Sequence, residues 1–258
     1  MAQNIYDANP FFFAEYSKLP RSRDGLSSAP EWPTLQAMLQ DIRGLRVLEL
    51  GCGFGWFCRW AREHGGAAGV HGIDLSANML ARAAEFGVDP EAAITYERAD
   101  LEDVRLAPPD DAPGNAPYGA VYSSLTFHYV RDLERLFGEV RRVLRPGGRF
   151  VFSVEHPIYT APTNPGWYEN DAGAGEECWL LNAYSEEGAR ITNWLTADGV
   201  RKYHRTAQTY ISLLLRNGFT LVDFVEWAPT DEHLREFPQW AKDRERPMFL
   251  LVAAEKTS

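Results

Sequence analysis

Between Leu45 and Phe152 the chain alternates short β-type runs with helical periods, and that rhythm leaves few folds open. Residues 46–50 read as a buried strand, 56–64 as a helix and 70–73 as a second strand. A helix over 78–86 places Met79, Leu80, Ala83 and Phe86 on one side. Strands follow at 94–98 and 120–123. Over 132–144, Leu133, Leu136, Phe137, Val140 and Leu144 recur at helical spacing, Pro146-Gly147-Gly148 ends the helix, and 149–154 is a fifth strand. This alternation predicts a parallel sheet with helices on both faces.

After Glu155 the rhythm breaks over 156–205, a stretch carrying Trp167, Tyr168, Trp179, Tyr184, Trp194 and Tyr203. It resumes with a helix over 206–217, a Gly218 cap, a strand over 220–225 and a last strand over 248–254. The expected organisation is one domain over 1–258. It has an N-terminal cap at 1–44 with a short helix at 32–39, a core at 45–155, a lid inserted at 156–205, and the rest of the core at 206–258. Two stretches rich in turn residues, 107–117 and 170–177, read as surface loops.

The strand at 46–50 runs directly into Gly51-Cys52-Gly53-Phe54-Gly55, which opens the next helix. Glycines there let the backbone turn sharply and approach a ligand where a Cβ would collide. The carboxyl end of a first parallel strand is where such sheets bind cofactors. Asp74 ends the second strand, in Gly72-Ile73-Asp74-Leu75-Ser76, where its carboxylate can accept from both hydroxyls of a ribose; Ser76 is the better helix cap. Asp100, just after the third strand, can accept from an adenine amino group while Ala99 and Leu101 flank the ring. A dinucleotide fingerprint would need glycine or alanine where Trp56 stands, which argues against a nicotinamide dehydrogenase.

These segments resemble the class I S-adenosylmethionine-dependent methyltransferases, in particular the small-molecule group often called type 11. Residues 47–55 are similar to the family's first motif, 72–76 to its ribose motif, 98–103 to its adenine motif and 144–153 to the helix–turn–strand after its fourth strand. The resemblance implies an α/β, Rossmann-like fold with a seven-stranded, mostly parallel sheet whose last strand, 248–254, inserts antiparallel beside the sixth. It implies S-adenosylmethionine as cofactor and S-adenosylhomocysteine as product. It places Gly51, Cys52 and Gly53 along the methionine part, Asp74 and Leu75 at the ribose, and Met79 against the adenine. Ser123 and Ser124 would lie beside the sulfonium, and Arg21 would hold the methionyl carboxylate.

The acceptor is less legible. The family's enzymes for exocyclic base amines carry an Asn/Asp-Pro-Pro-aromatic motif after the fourth strand, and this chain has Ser123-Ser124-Leu125-Thr126. Residues 123–129 contain no acid, so a metal is not expected. A hydroxyl or protonated amine needs a base, and His156, His204 and His128 all fall near strand ends or lid junctions. Arg205 could grip a carboxylate or pair with an acid at the helix start. The aromatics of the lid, with Tyr203 and Trp194 foremost, could enclose an acceptor or simply pack the insertion.

The formal net charge of −10, with scattered basic residues, argues against nucleic acid as partner. No apolar run approaches the ~20 residues of a membrane span. Residues 1–10 do not read as a secretory signal, and the three cysteines form neither a disulfide framework nor a metal cluster. A cytoplasmic monomer or homodimer acting on a small molecule, by transfer to oxygen or nitrogen, is the expected reading. A non-catalytic cofactor-binding module and a protein-directed methyltransferase are the alternatives.

Overall fold

The computed structural model describes residues 4–86, 93–107, 117–169 and 177–257. Most of the two expected loops, 108–116 and 170–176, lies outside the described residues. The chain opens with α1 (Ile5–Ala8), α2 (Pro10–Ser17), α3 (Pro20–Asp24) and α4 (Trp32–Leu39). The alternating region follows as β1 (Arg46–Leu50), α5 (Trp56–Glu63), β2 (Gly69–Asp74), α6 (Ala77–Glu85), β3 (Ile94–Arg98), β4 (Tyr118–Ser124), α7 (Leu133–Val143) and β5 (Leu144–Glu155). The insertion holds α8 (Pro157–Thr160) and two antiparallel hairpins, β6 (Trp167–Glu169) with β7 (Glu177–Trp179), and β8 (Gly188–Trp194) with β9 (Ala197–His204). Then come α9 (Ala207–Arg216), β10 (Phe219–Trp227), α10 (Asp231–Glu236), α11 (Lys242–Glu245) and β11 (Phe249–Lys256).

Seven strands form one sheet in the order β10-β11-β5-β4-β1-β2-β3, with β11 antiparallel to both neighbours. Period-2 alternation assigns the two faces. Val47, Val70, Tyr122, Val151 and Leu251 pack under α4 and α5, against Trp32, Leu35, Phe57 and Ala61. Leu48, Ile73, Val121, Phe152 and Val252 pack on the other face under α7 and α9, against Leu136, Phe137, Val140 and Leu213. The chain moves outward from β1 through β2 to β3, then returns to β4 on the other side of β1. That reversal opens a crevice at the carboxyl ends of β1 and β4.

The helix expected over 132–144 is α7, capped by the Asp132 carboxylate, which accepts from the Arg135 N–H at 3.0 Å. One difference follows it. Leu144 already pairs with Tyr118, so β5 begins five residues before the expected start at 149. Residues 146–148 are an irregular stretch of strand, absorbed by a register shift against β4, where the sequence suggested a turn.

Above the crevice, the tip of the β8–β9 hairpin meets the N-terminal segment. Phe12, Ala197 and Val200 form a small apolar cluster with Tyr6, Tyr16, Tyr129 and Trp194. The Trp194 ring lies 5.4 Å from Phe12 and 6.0 Å from Tyr16, edge to face. Cap and lid therefore close on each other over the carboxyl ends of the strands.

Candidate active site

A cavity of about 360 Å³ occupies this crevice. Its floor is the loop after β1. The Gly51 and Cys52 N–H groups both donate to the Ile73 carbonyl, at 2.8 and 3.0 Å, which folds the loop across the end of β2. Gly51 has φ +77°, and a Cβ there would lie 2.1 Å from Thr126 Oγ1. Here glycine is dictated by close packing against the loop after β4.

One end of the cavity is built around Asp74. Its Oδ2 accepts from the Gly53 N–H at 2.8 Å and its Oδ1 from the Ser76 N–H at 2.9 Å. Burial raises this carboxyl above the usual aspartate value, against the pull of those two N–H groups. A carboxylate has about four acceptor sites, so acceptor capacity remains for a ligand. Met79, Leu75, Asp100 and Leu101 continue this wall. Asp100 also closes its own turn, accepting from the Glu102 N–H at 3.0 Å. A carboxylate with acceptor capacity left, beside an apolar slot with a second carboxylate at its rim, has the chemistry to take a nucleoside, and the volume lies within the range for small-ligand sites.

The N-terminal segment is latched over this end. Asp7 accepts from the Ser76 hydroxyl at 2.5 Å and from the Ala77 and Asn78 N–H groups at 3.0 Å, crowning the start of α6. Burial works against the Asp7 carboxylate, but these bonds and Asn4 hold its carboxyl down at about 2. Farther along, the Trp56 indole donates to the Ser22 carbonyl at 3.0 Å. Thus Trp56, which breaks the dinucleotide fingerprint, pins the cap to the helix after the glycine loop. Arg21 reaches the cavity wall, yet its guanidinium is already held by the buried Glu31 in two bonds of 2.5 and 3.0 Å.

The other end is aromatic, with Tyr6, Tyr16, Tyr129, Tyr159 and Trp194 alongside His128 and Glu155. Sequence reasoning had singled out Trp194 and His128 here but missed Tyr6, Tyr16, Tyr129, Tyr159 and Glu155. The signal for Glu155 was available. It ends β5, two residues beyond Ser153, which pairs with Ser124 at the end of β4, so it lies at the carboxyl edge of the sheet where the cavity opens.

The cavity brings together Arg21, Gly51, Gly53, Asp74, Leu75, Met79, Asp100, Leu101, Trp194 and His128 of the expected residues. It does not include the others. Cys52 is buried, and a Cβ on Gly72 would meet its sulfur and that of Cys58. Ala99 packs towards the core, and Ser123 is buried with its hydroxyl donating to the Leu50 carbonyl at 2.7 Å, leaving Ser124 on the cavity. His156 caps α8, accepting from the Ile158 N–H through Nδ1 at 3.1 Å, while Nε2 meets Glu226 at 3.0 Å. His204 is bound on both ring nitrogens, to Thr160 Oγ1 and the Tyr184 carbonyl, each at 2.9 Å. Neither imidazole has a free nitrogen for an acceptor. Arg205 donates to the Val130 and Arg131 carbonyls at 2.7 and 2.6 Å, and the Tyr203 ring lies beside its guanidinium.

Several buried groups titrate away from their ordinary values, with opposite consequences for stability. Burial lowers His128 from 6.5 to about 4, with Glu155 opposing and Lys202 assisting; burial also lowers His156 and His204. The contribution of His128 is present above the unfolded value of 6.5 and is lost as pH falls towards 4, and those of His156 and His204 weaken as pH falls below 6.5. Glu49, which accepts a hydrogen bond from the Cys58 thiol at 2.9 Å, is pushed by burial from 4.5 to about 8. Its contribution is fully present below 4.5 and is lost as pH rises through about 8. Thermal melts between about pH 5 and about pH 8.5 should therefore show His128→Gln gaining on the wild type towards acid and Glu49→Gln gaining towards alkali. Parallel curves for all three proteins would contradict both assignments.

A methyltransferase-domain family model matches residues 48–152. The chain is 49% identical to an S-adenosylmethionine-dependent methyltransferase of Mesorhizobium loti, covering 90% of this chain and 100% of that one with a TM-score of 0.80. A structure described as a putative S-adenosylmethionine-dependent methyltransferase from Listeria monocytogenes is 38% identical over 90% of this chain and 100% of its own, with a TM-score of 0.76. The malonyl-[acyl-carrier protein] O-methyltransferase of Pectobacterium atrosepticum is 37% identical over 120 residues, spanning 46% of this chain and 42% of that protein. The chain belongs to the class I S-adenosylmethionine-dependent methyltransferases, in the type 11 group. It is an enzyme, and its cofactor is S-adenosylmethionine. Among the described residues, no helix is long and apolar enough to cross a membrane.

Proposed function

We propose that the enzyme methylates an oxygen or nitrogen of a small molecule without a metal, in a chamber shared by the cofactor and the acceptor. The observation that carries this reading is one cavity running from Asp74 and Asp100 to Tyr159 and Trp194, roofed by the N-terminal cap and the lid. Asp74 would hold the ribose through its remaining acceptor capacity, Asp100 and Leu101 the adenine with Met79 beside it, and the loop at 51–53 the methionyl chain. Bound there, the cofactor supplies a methyl group already activated by a sulfonium. The protein's part is then to hold the nucleophile in line and to exclude water. Tyr6, Tyr129, Tyr159 and Trp194 do both, since their rings bring area and rigidity.

Cap, core and lid would thus work as one unit, with residues 1–44 and 156–205 closing the site formed by the core. The similarity of part of the chain to an O-methyltransferase supports oxygen among the proposed nucleophiles. Among the described residues no three His, Cys, Asp or Glu side chains are grouped to hold a metal. The free thiols of Cys52, Cys58 and Cys178 fit the proposed cytoplasmic setting.

Incubating the enzyme with methyl-labelled S-adenosylmethionine and a desalted or whole cell extract tests the acceptor class. Label appearing in the ultrafiltrate of the whole extract in a species chromatographically separate from S-adenosylmethionine, and absent from a no-enzyme control, is the expected result. Label confined to the retained protein would establish the protein-directed alternative, and label in neither would point to a non-catalytic module.

A further inference from the structure

The aromatic end of the cavity contains a charged pair that the cofactor site does not use. Lys202, on β9, is buried, and its Nζ lies 2.5 Å from Glu155 Oε1. The same ammonium is ringed by Trp194 at 5.5 Å, Tyr159 at 5.8 Å and Tyr129 at 6.0 Å. The cation that these aromatic faces favour is therefore already supplied by the protein. Glu155 Oε2, in contrast, is buried and has no hydrogen-bond partner, although its residue forms part of the cavity wall. A buried carboxylate oxygen without a donor is costly and calls for an explanation.

His128 does not provide that donor or compete as a base. Its Nδ1 accepts from the Glu155 N–H at 3.3 Å, so the neutral ring carries its proton on Nε2. The Glu155–Lys202 pair is neutral as a unit, so this end attracts neither a carboxylate nor an ammonium by net charge. A carboxylate brought to Oε2 would face a like charge in a poorly solvated site.

We propose that the Glu155 carboxylate is the docking point of the methyl acceptor, turning Oε2 out of the cavity wall to meet it, and that the acceptor presents to it an uncharged hydroxyl or amine on an apolar skeleton, not a carboxylic acid. This rests on the small-molecule reading above and narrows it. It also separates the chain from the partial relative whose name specifies a malonyl group. Glu155 selects for a hydrogen-bond donor, Lys202 balances its charge, and the rings grip the skeleton.

Three probes that differ in one group decide the matter: p-cresol, p-toluidine and p-toluate, each titrated calorimetrically into the full-length protein saturated with S-adenosylhomocysteine. The cresol and the toluidine are expected to bind, with the toluate at least about tenfold weaker. Glu155→Gln should weaken the first two by about tenfold and remove the discrimination against the toluate. S-Adenosylhomocysteine affinity should stay unchanged, which also reports folding. Because Glu155→Gln leaves Lys202 unpaired, the double variant Glu155→Gln/Lys202→Met is run beside it, and the same loss of discrimination is expected. The proposal is overturned if the toluate binds the wild type as tightly as the others. It is equally overturned if the ranking survives both variants, or if none of the three binds to protein that holds S-adenosylhomocysteine. Failure to bind S-adenosylhomocysteine at all would instead sink the reading of the cavity on which the proposal rests.

Discussion

With alanine at position 51, the protein is expected to melt several degrees lower and to bind S-adenosylhomocysteine at least tenfold more weakly, by an order-of-magnitude argument. Gly51 adopts φ +77°, a left-handed conformation that costs an L-residue about 1–2 kcal/mol. The new methyl would also fall 2.1 Å from Thr126 Oγ1 and 2.5 Å from Thr126 Cγ2, and overpacking of this kind costs about 1–3 kcal/mol more. The Thr126 hydroxyl donates to the Ser124 carbonyl at 3.1 Å, so the clash cannot be relieved without disturbing the loop after β4. Both loops line the cavity, which is why affinity should fall together with stability. Removing the obstacle gives the diagnostic control. Thr126→Ala combined with Gly51→Ala should recover part of the loss, leaving the conformational term and the 2.8 Å approach to the Cβ of residue 126. If Gly51→Ala alone melts and binds like the wild type, the loop packing described above is wrong.

Trp56→Ala should detach the N-terminal cap. The indole donates to the Ser22 carbonyl, and the backbone at Gly25 runs so close that a Cβ there would lie 2.4 Å from the ring. The Arg59 guanidinium lies over the ring, 4.6 Å from its centroid. Losing these contacts is expected to cost about 3 kcal/mol, the low end for a tryptophan truncation because the side chain is only half-buried. The cap carries Tyr6, Tyr16, Arg21 and Ser22 on the cavity wall. Limited proteolysis should therefore cut the variant before Trp32 while the sheet survives, and S-adenosylhomocysteine should dissociate faster. A cap as protease-resistant as in the wild type would show that Asp7 and its bonds to the start of α6 hold it alone.

How much of this was legible in the sequence depended on whether the signal was local. The strand–loop–helix at 46–63 and the carboxylate of Asp74 could be read directly, because periodicity and turn chemistry act over a few residues. The early start of β5 at Leu144 could not, since it depends on pairing with Tyr118, and Pro146-Gly147-Gly148 reads locally as a turn. The histidines illustrate the same limit. Reading along 155–156 favoured the imidazole of His156, but consecutive side chains point to opposite sides, and it is Glu155 that reaches the cavity. His204 falls at the lid junction as expected, but Thr160 and Tyr184 occupy both its nitrogens, and neither partner is recognisable from spacing. The Asp7 latch is equally long-range, joining residues about seventy positions apart.

The central claim is that the Asp74 end of the cavity holds the adenosyl part of the cofactor, and calorimetric titration with S-adenosylhomocysteine tests it most directly. The wild type should bind one equivalent and show no heat with NADH, and Asp74→Ala should weaken binding by at least about tenfold, the worth of hydrogen bonds to a charged group. Because Asp74→Ala also strips the Gly53 and Ser76 N–H groups of their acceptor, the melt of the variant without ligand is recorded beside the titration, and a folded variant that fails to bind separates lost binding from lost folding. Equal affinity of wild type and Asp74→Ala, or binding of NADH in place of S-adenosylhomocysteine, would contradict the claim.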